Sequence, residues 1–124
     1  MPLSHRSFGN ARVVTPQGRL DHDNCESFQT DLAEHLQACS QQGAALVLDL
    51  SGLEYVSSAG LRCFMLAAKQ ARAQNGYLAV AAVQPLVQEI LEISKFTLVL
   101  RVLPSVREAV AAASATGLAA FERG

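Results

Sequence analysis

Tryptophan is absent from this 124-residue chain, and aromatic residues make up only 6% of it. No apolar run reaches the roughly 18 residues needed to cross a bilayer, and the opening "MPLSHRSFGN" lacks the apolar core of a signal peptide. A cytoplasmic location without membrane insertion is therefore expected. Charge of one sign is also scarce in excess: ten Lys and Arg against eleven Asp and Glu leave a formal net charge of −1. The basic residues are spread along the chain, so the footprint that releases counterions from nucleic acid is missing and nucleic acid is excluded as a partner. The three cysteines, Cys25, Cys39 and Cys63, are odd in number and widely spaced. That fits neither a disulfide framework nor paired metal ligands, and they are read as reduced, mostly buried thiols. Half the residues are hydrophobic, enough for one compact domain that buries about two-thirds of its unfolded surface.

The pattern that is present alternates strands with helices. "HRSF" and "ARVVTPQG", separated by the turn-forming pair Gly9-Asn10, read as an N-terminal hairpin. Cys25, Phe28, Leu32, Leu36 and Cys39 then recur at helical spacing. A helix over residues 24–41 is predicted, capped by Asp23 with Glu26 three residues on and closed before Gly43. "AALVLDL" is continuously apolar up to Asp49 and reads as a central strand buried on both faces. From Ala59 onward Leu61, Phe64, Met65, Ala68 and Ala71 form an apolar helical stripe, with Arg62, Lys69 and Arg72 on another side and Asn75-Gly76 at the end. "YLAVAAV" and "TLVLRVL" read as strands around the helix "PLVQEILEIS". Ser105 and Glu108, at capping spacing, open a final helix. The order β-β-α-β-α-β-α-β-α implies an α/β fold, a mostly parallel sheet of about five strands with four helices. The tail 113–124 is left unplaced.

Between the central strand and the next helix stands "EYVSSAGLR", residues 54–62. A serine at a helix start accepts a bond from a free backbone amide, contributing about 1 kcal/mol, so capping alone can explain one of the pair. A hydrolase elbow needs G-x-S-x-G, and Val56 stands where its first glycine belongs. The histidines, His5, His22 and His35, all lie in the N-terminal third and are read as solvated. Phosphate cradles need further glycines and a lysine. A receiver-type acceptor at Asp49 would need acidic residues at Gly9-Asn10 and a lysine at Pro104-Ser105. Asp49 is read instead as an end-of-strand residue bonding neighbouring amides. No residue set has metal-ligand spacing, and neither a cofactor nor enzymatic activity is expected. One chemistry fits without a catalytic neighbour: a phosphate placed on this serine by another protein would sit at a helix N-terminus, where the fold tolerates it and a docked partner would not.

The stretch "LVLDLSGLEYVSSAGLRCFMLAAKQARAQNG", preceded by "GRLDHDN" and followed by "LAVAAVQPLVQEILEISKF", resembles the STAS domain of bacterial anti-sigma factor antagonists, and the resemblance implies a single STAS domain whose core spans about 5–112. The resemblance implies that Ser58, two residues before the glycine, is phosphorylated by a serine-kinase anti-sigma factor. It also implies that the unmodified form binds that kinase to free a sigma factor, and that a PP2C-type phosphatase restores it. Many members carry aspartate where this chain has Ser57 and a second hydroxyl where it has Ala59, which makes Ser57 a rival acceptor. The implied partner face comprises Asp21, of the G-x-L-D turn, with Ser57, Ser58, Ala59, Gly60 and Arg62; Lys69 and Arg72 extend it along the helix. The alternative that the resemblance allows is a stand-alone STAS subunit of an ABC-type lipid transport complex, docking through the same face on its ATPase subunit.

Overall fold

A computed structural model describes residues 4–40 and 43–123. In chain order they form β1 (Ser4–Phe8), β2 (Ala11–Thr15), β3 (Gly18–Leu20), α1 (Cys25–Ala38), β4 (Ala45–Asp49), β5 (Leu53–Val56) and α2 (Ser58–Ala73). These are followed by β6 (Leu78–Ala81), α3 (Pro85–Ile93), a single 3-10 turn (Phe96–Leu98), β7 (Arg101–Leu103), α4 (Val106–Ala113) and α5 (Ala115–Arg123). The main sheet runs β1-β2-β4-β6-β7. Only the β1–β2 hairpin is antiparallel, with Gly9 at φ 60° in its turn. The expected mostly parallel five-stranded sheet is therefore the frame of the molecule.

Its centre is the "ALVLD" strand, and the alternation of side chains along β4 divides the core in two. Leu46 and Leu48 join Val14, Val80, Phe28, Leu32, Phe64 and Val87 on the face covered by α1, α2 and α3. Val47 and Ala45 join Val13, Ala79, Ala81, Ala109 and Val110 on the face covered by α4 and α5. Burial on both faces explains why these strands are continuously apolar rather than alternating. Small residues dominate the second face, which lets α4 lie close. Ser105 caps that helix as expected, its hydroxyl accepting from the Glu108 amide at 3.1 Å.

Several expectations are corrected. A second sheet, β3 paired in parallel with β5, was not expected; it holds the turns discussed below. The tail forms a fifth helix, α5, from residue 115. The apolar run "TLVLRVL" yields only a three-residue strand, because Lys95 turns left-handed at φ 63° and leaves Leu98 and Val99 exposed. The first helix begins after Asn24, not Asp23, and has no side-chain cap. It ends at Ala38 because Cys39 becomes extended and bridges Ala44; the expected terminus at residue 41 lies outside the described residues. Met65, a member of the apolar stripe expected on α2, is 38% exposed.

His35 is the other correction, since it is buried rather than solvated. The Arg12 guanidinium donates to its Nδ1 at 3.1 Å, which requires that nitrogen to be unprotonated. Burial first, then the Arg12 and His5 charges, hold its pKa below the ordinary 6.5, against the opposing pull of Glu34. The unfolded chain therefore binds a proton that the folded chain refuses, and stability falls as pH drops below the unfolded value. The urea midpoint is expected to be lower at about pH 5.5 than at about pH 7.5, and His35→Gln is expected to shrink that difference.

Candidate functional site

The "SSAG" turn is built on the small second sheet. Leu20 of β3 pairs with Val56 of β5, so the two strands run parallel and the segments that follow them leave the same end side by side. One is the Asp21 turn, and the other is the Ser57–Gly60 turn that opens α2. They are tied directly by a bond from the Ser57 amide to the Leu20 carbonyl, 2.8 Å. Gly60 makes this junction possible. A Cβ there would lie 2.8 Å from the Leu20 carbonyl oxygen and 2.9 Å from both Leu20 Cγ and Val56 Cγ1, closer than carbon atoms tolerate.

Within this turn the two serines divide their work. Ser57 is the N-cap, extended at φ −85° and ψ 176°, and its hydroxyl accepts from the Gly60 amide at 3.3 Å. Ser58 is the first residue of the helix and is exposed, and its hydroxyl has no hydrogen bond among the described residues. Replacing Ser57 with alanine is expected to cost about 1 kcal/mol of unfolding free energy, and Ser58→Ala less than about 0.5 kcal/mol, in denaturant melts. The first turn of α2 carries no acidic residue, so the positive end of its dipole faces outward uncompensated.

Asp21 is engaged structurally. Its carboxylate accepts from the Asp23 amide at 3.0 Å, and its own amide donates to Asn24 Oδ1 at 2.9 Å. The Asp21 carbonyl accepts from the Asn24 and Cys25 amides, so this residue, with Asn24, organises the start of α1 in place of the expected Asp23 cap. Asp49 bonds the Ser51 amide at 3.0 Å, the end-of-strand role read for it.

Along α2, residues 58, 62, 65, 69 and 72 follow one another at four- and three-residue steps and share a face. All five are exposed. Arg62, Lys69 and Arg72 thus form a basic line continuous with Ser58, interrupted by Met65, and Leu66 beside it is 42% exposed. Met65 lies at the edge of the apolar stripe expected on α2, and helical spacing alone does not separate it from the buried members. A second omission is Arg19, whose guanidinium lies 4.4 Å over the Tyr55 ring on the surface of the small sheet. Two clefts of about 380 and 400 Å³ include neither Ser57 nor Ser58. Among the described residues no cluster of His, Cys, Asp or Glu could hold a metal ion, and no helix is long and apolar enough to cross a membrane. The arrangement is an exposed turn and helix face suited to docking.

The family described as "Mlab, STAS domain" matches residues 4–103. The chain belongs to the STAS-domain family. A Bordetella bronchiseptica protein named as a candidate anti-sigma factor antagonist, BtrV, is 41% identical over 118 residues, covering 95% of this chain and 98% of that one. Solved STAS structures share the fold at much lower identity. A candidate anti-sigma factor antagonist from Thermotoga maritima superposes with a TM-score of 0.80 at 16% identity, covering 90% of this chain and 93% of its own. SpoIIAA, described as an anti-sigma factor antagonist and a Bacillus cell fate determinant, is similar in both its states. The unphosphorylated form gives a TM-score of 0.68 at 17% identity, covering 87% of this chain and 92% of that one. The phosphorylated form gives 0.65 at 14%, covering 90% and 99%.

Proposed function

We propose that this STAS domain is an anti-sigma factor antagonist, a binding module without catalytic activity of its own. In this reading it docks on a serine-kinase anti-sigma factor and is switched off by phosphorylation of Ser58, with a PP2C-type phosphatase restoring the docking form. The observation that carries the reading is the division between the serines. Ser57 is committed to the helix, whereas Ser58 offers an exposed hydroxyl with no hydrogen bond to break among the described residues. A phosphate there meets the uncompensated N-terminus of α2 and stands four residues before Arg62, both of which favour an anion. The relative named as an antagonist, at 41% identity over nearly the full chain, favours this role over a subunit of a lipid transport complex.

Incubation with ATP and the serine-kinase anti-sigma factor of the same genome, followed by peptide mapping, is expected to place one phosphate on Ser58. Absence of phosphate on either serine, together with no nucleotide-dependent complex, would refute the proposal. Permease and ATPase genes beside this one, in place of a kinase and phosphatase, would favour the transport role.

A further inference from the structure

Cys63 belongs to the buried core and Cys25 packs against it at the core's edge, so the fold brings two thiols together that the docking chemistry described above does not use. Cys25 is the first residue of α1, immediately after the Asp21 turn, and is half-buried; Cys63 lies on the buried side of α2, five residues after Ser58. The Cys63 Sγ donates to the Cys25 carbonyl at 3.6 Å and the Cys25 Sγ to the His22 carbonyl at 3.9 Å, so both thiols lie beside the backbone at the start of α1. One residue beyond Cys63 and three beyond Cys25, Phe64 and Phe28 meet edge to face with ring centroids 6.0 Å apart, which fixes the same helix crossing. These contacts make Cys25 and Cys63 neighbours across packed helices, and a disulfide requires their sulfurs to approach to about 2.05 Å. Cys39 is buried elsewhere, its thiol donating to the Tyr77 carbonyl at 3.3 Å.

We propose that Cys25 and Cys63 are a redox modification site that closes to an internal disulfide on exchange with a small-molecule disulfide such as oxidised glutathione. Cys25, the more accessible thiol, loses its proton to solvent and attacks one glutathione sulfur, expelling one glutathione thiolate and forming a mixed disulfide. Cys63 then gives up its proton and attacks the Cys25 sulfur, and the second glutathione leaves. Two protein thiols are oxidised by two electrons in all, and one glutathione disulfide is reduced to two glutathiones. Burial, followed by the neighbouring Cys25, pushes the Cys63 thiol up to about 11. It therefore stays protonated and resists direct attack until Cys25 carries a leaving group beside it. The resulting bond joins the segment after the Asp21 turn to the helix that starts at Ser57–Gly60, so oxidation pins together the two halves of the face described above. Closure of the disulfide does not depend on the proposed function.

The test uses the reduced full chain incubated with oxidised glutathione at neutral pH, with remaining thiols alkylated in denaturant and the products mapped by mass spectrometry. The expected product is about 2 Da lighter than the reduced chain before alkylation, linked 25 to 63, with Cys39 alone alkylated. Cys39→Ser is expected to form the same link, and Cys63→Ser is expected to stop at the mixed disulfide on Cys25. In urea the selectivity is expected to vanish, with Cys39 entering the pairing. Native wild-type protein that retains glutathione on Cys25 while Cys63 is fully alkylated would overturn the proposal, as would native pairing through Cys39 or between two chains.

Discussion

Gly60→Ala is expected to lower the unfolding free energy by about 1–3 kcal/mol, read as a fall in the urea midpoint at constant slope. The cause is local overpacking. The added methyl meets the Leu20 carbonyl oxygen at 2.8 Å and the Leu20 and Val56 side chains at 2.9 Å. Leu20 cannot retreat freely, because its carbonyl accepts the Ser57 amide and its neighbours pair with β5. Relief must come from parting α2 from the small sheet, which displaces the Asp21 turn and the Ser57 cap together. Ala59→Ser, one residue away on a partly exposed position, is expected to change stability by less than about 0.5 kcal/mol. An unchanged midpoint for Gly60→Ala would show that the junction is looser than its distances imply.

This junction is also where the sequence was least readable. The large elements carry their own periodicity: β4 is apolar throughout because both faces are covered, and α1 shows Phe28, Leu32 and Leu36 on one side. The small sheet does not. "GRL" and "LEYV" are three and four residues long, too short for alternation to show, and each is held by a partner more than thirty positions away in the chain. Local pattern also falls short at "TLVLRVL", where the left-handed Lys95 decides the path, and at His35, whose buried ring accepts a bond from Arg12 of another element. The serine turn was recognisable from its motif, but which hydroxyl caps the helix is a matter of backbone angle at Ser57. Met65 shows the limit of helical spacing, since a position at the edge of an apolar stripe falls on either side of the boundary with solvent.

Charge at position 58 is expected to decide docking. Against the serine-kinase anti-sigma factor of the same genome, Ser58→Ala is expected to keep its affinity within about threefold, and Ser58→Glu to weaken it about tenfold. The sign follows from the magnitudes. In the free protein an anion at the start of α2 gains about 0.3–1 kcal/mol from the helix dipole and about 0.2–0.5 kcal/mol from Arg62 four residues on. Both contributions stabilise the undocked form. Burying the same anion against a surface shaped for a neutral side chain costs several kcal/mol, and every 1.4 kcal/mol is tenfold in affinity. A phosphate, with more charge than glutamate, exceeds the glutamate effect. Thermal melts are expected to show the anionic forms at least as stable as the unmodified protein, by up to a few degrees, which separates ejection of a partner from loss of the fold.

Titration calorimetry of the unmodified and the Ser58-phosphorylated protein against that anti-sigma factor tests the account most directly. A dissociation constant at least about 100-fold weaker for the phosphorylated form, with both forms equally folded, is the predicted result. Equal affinity for the two forms would contradict it.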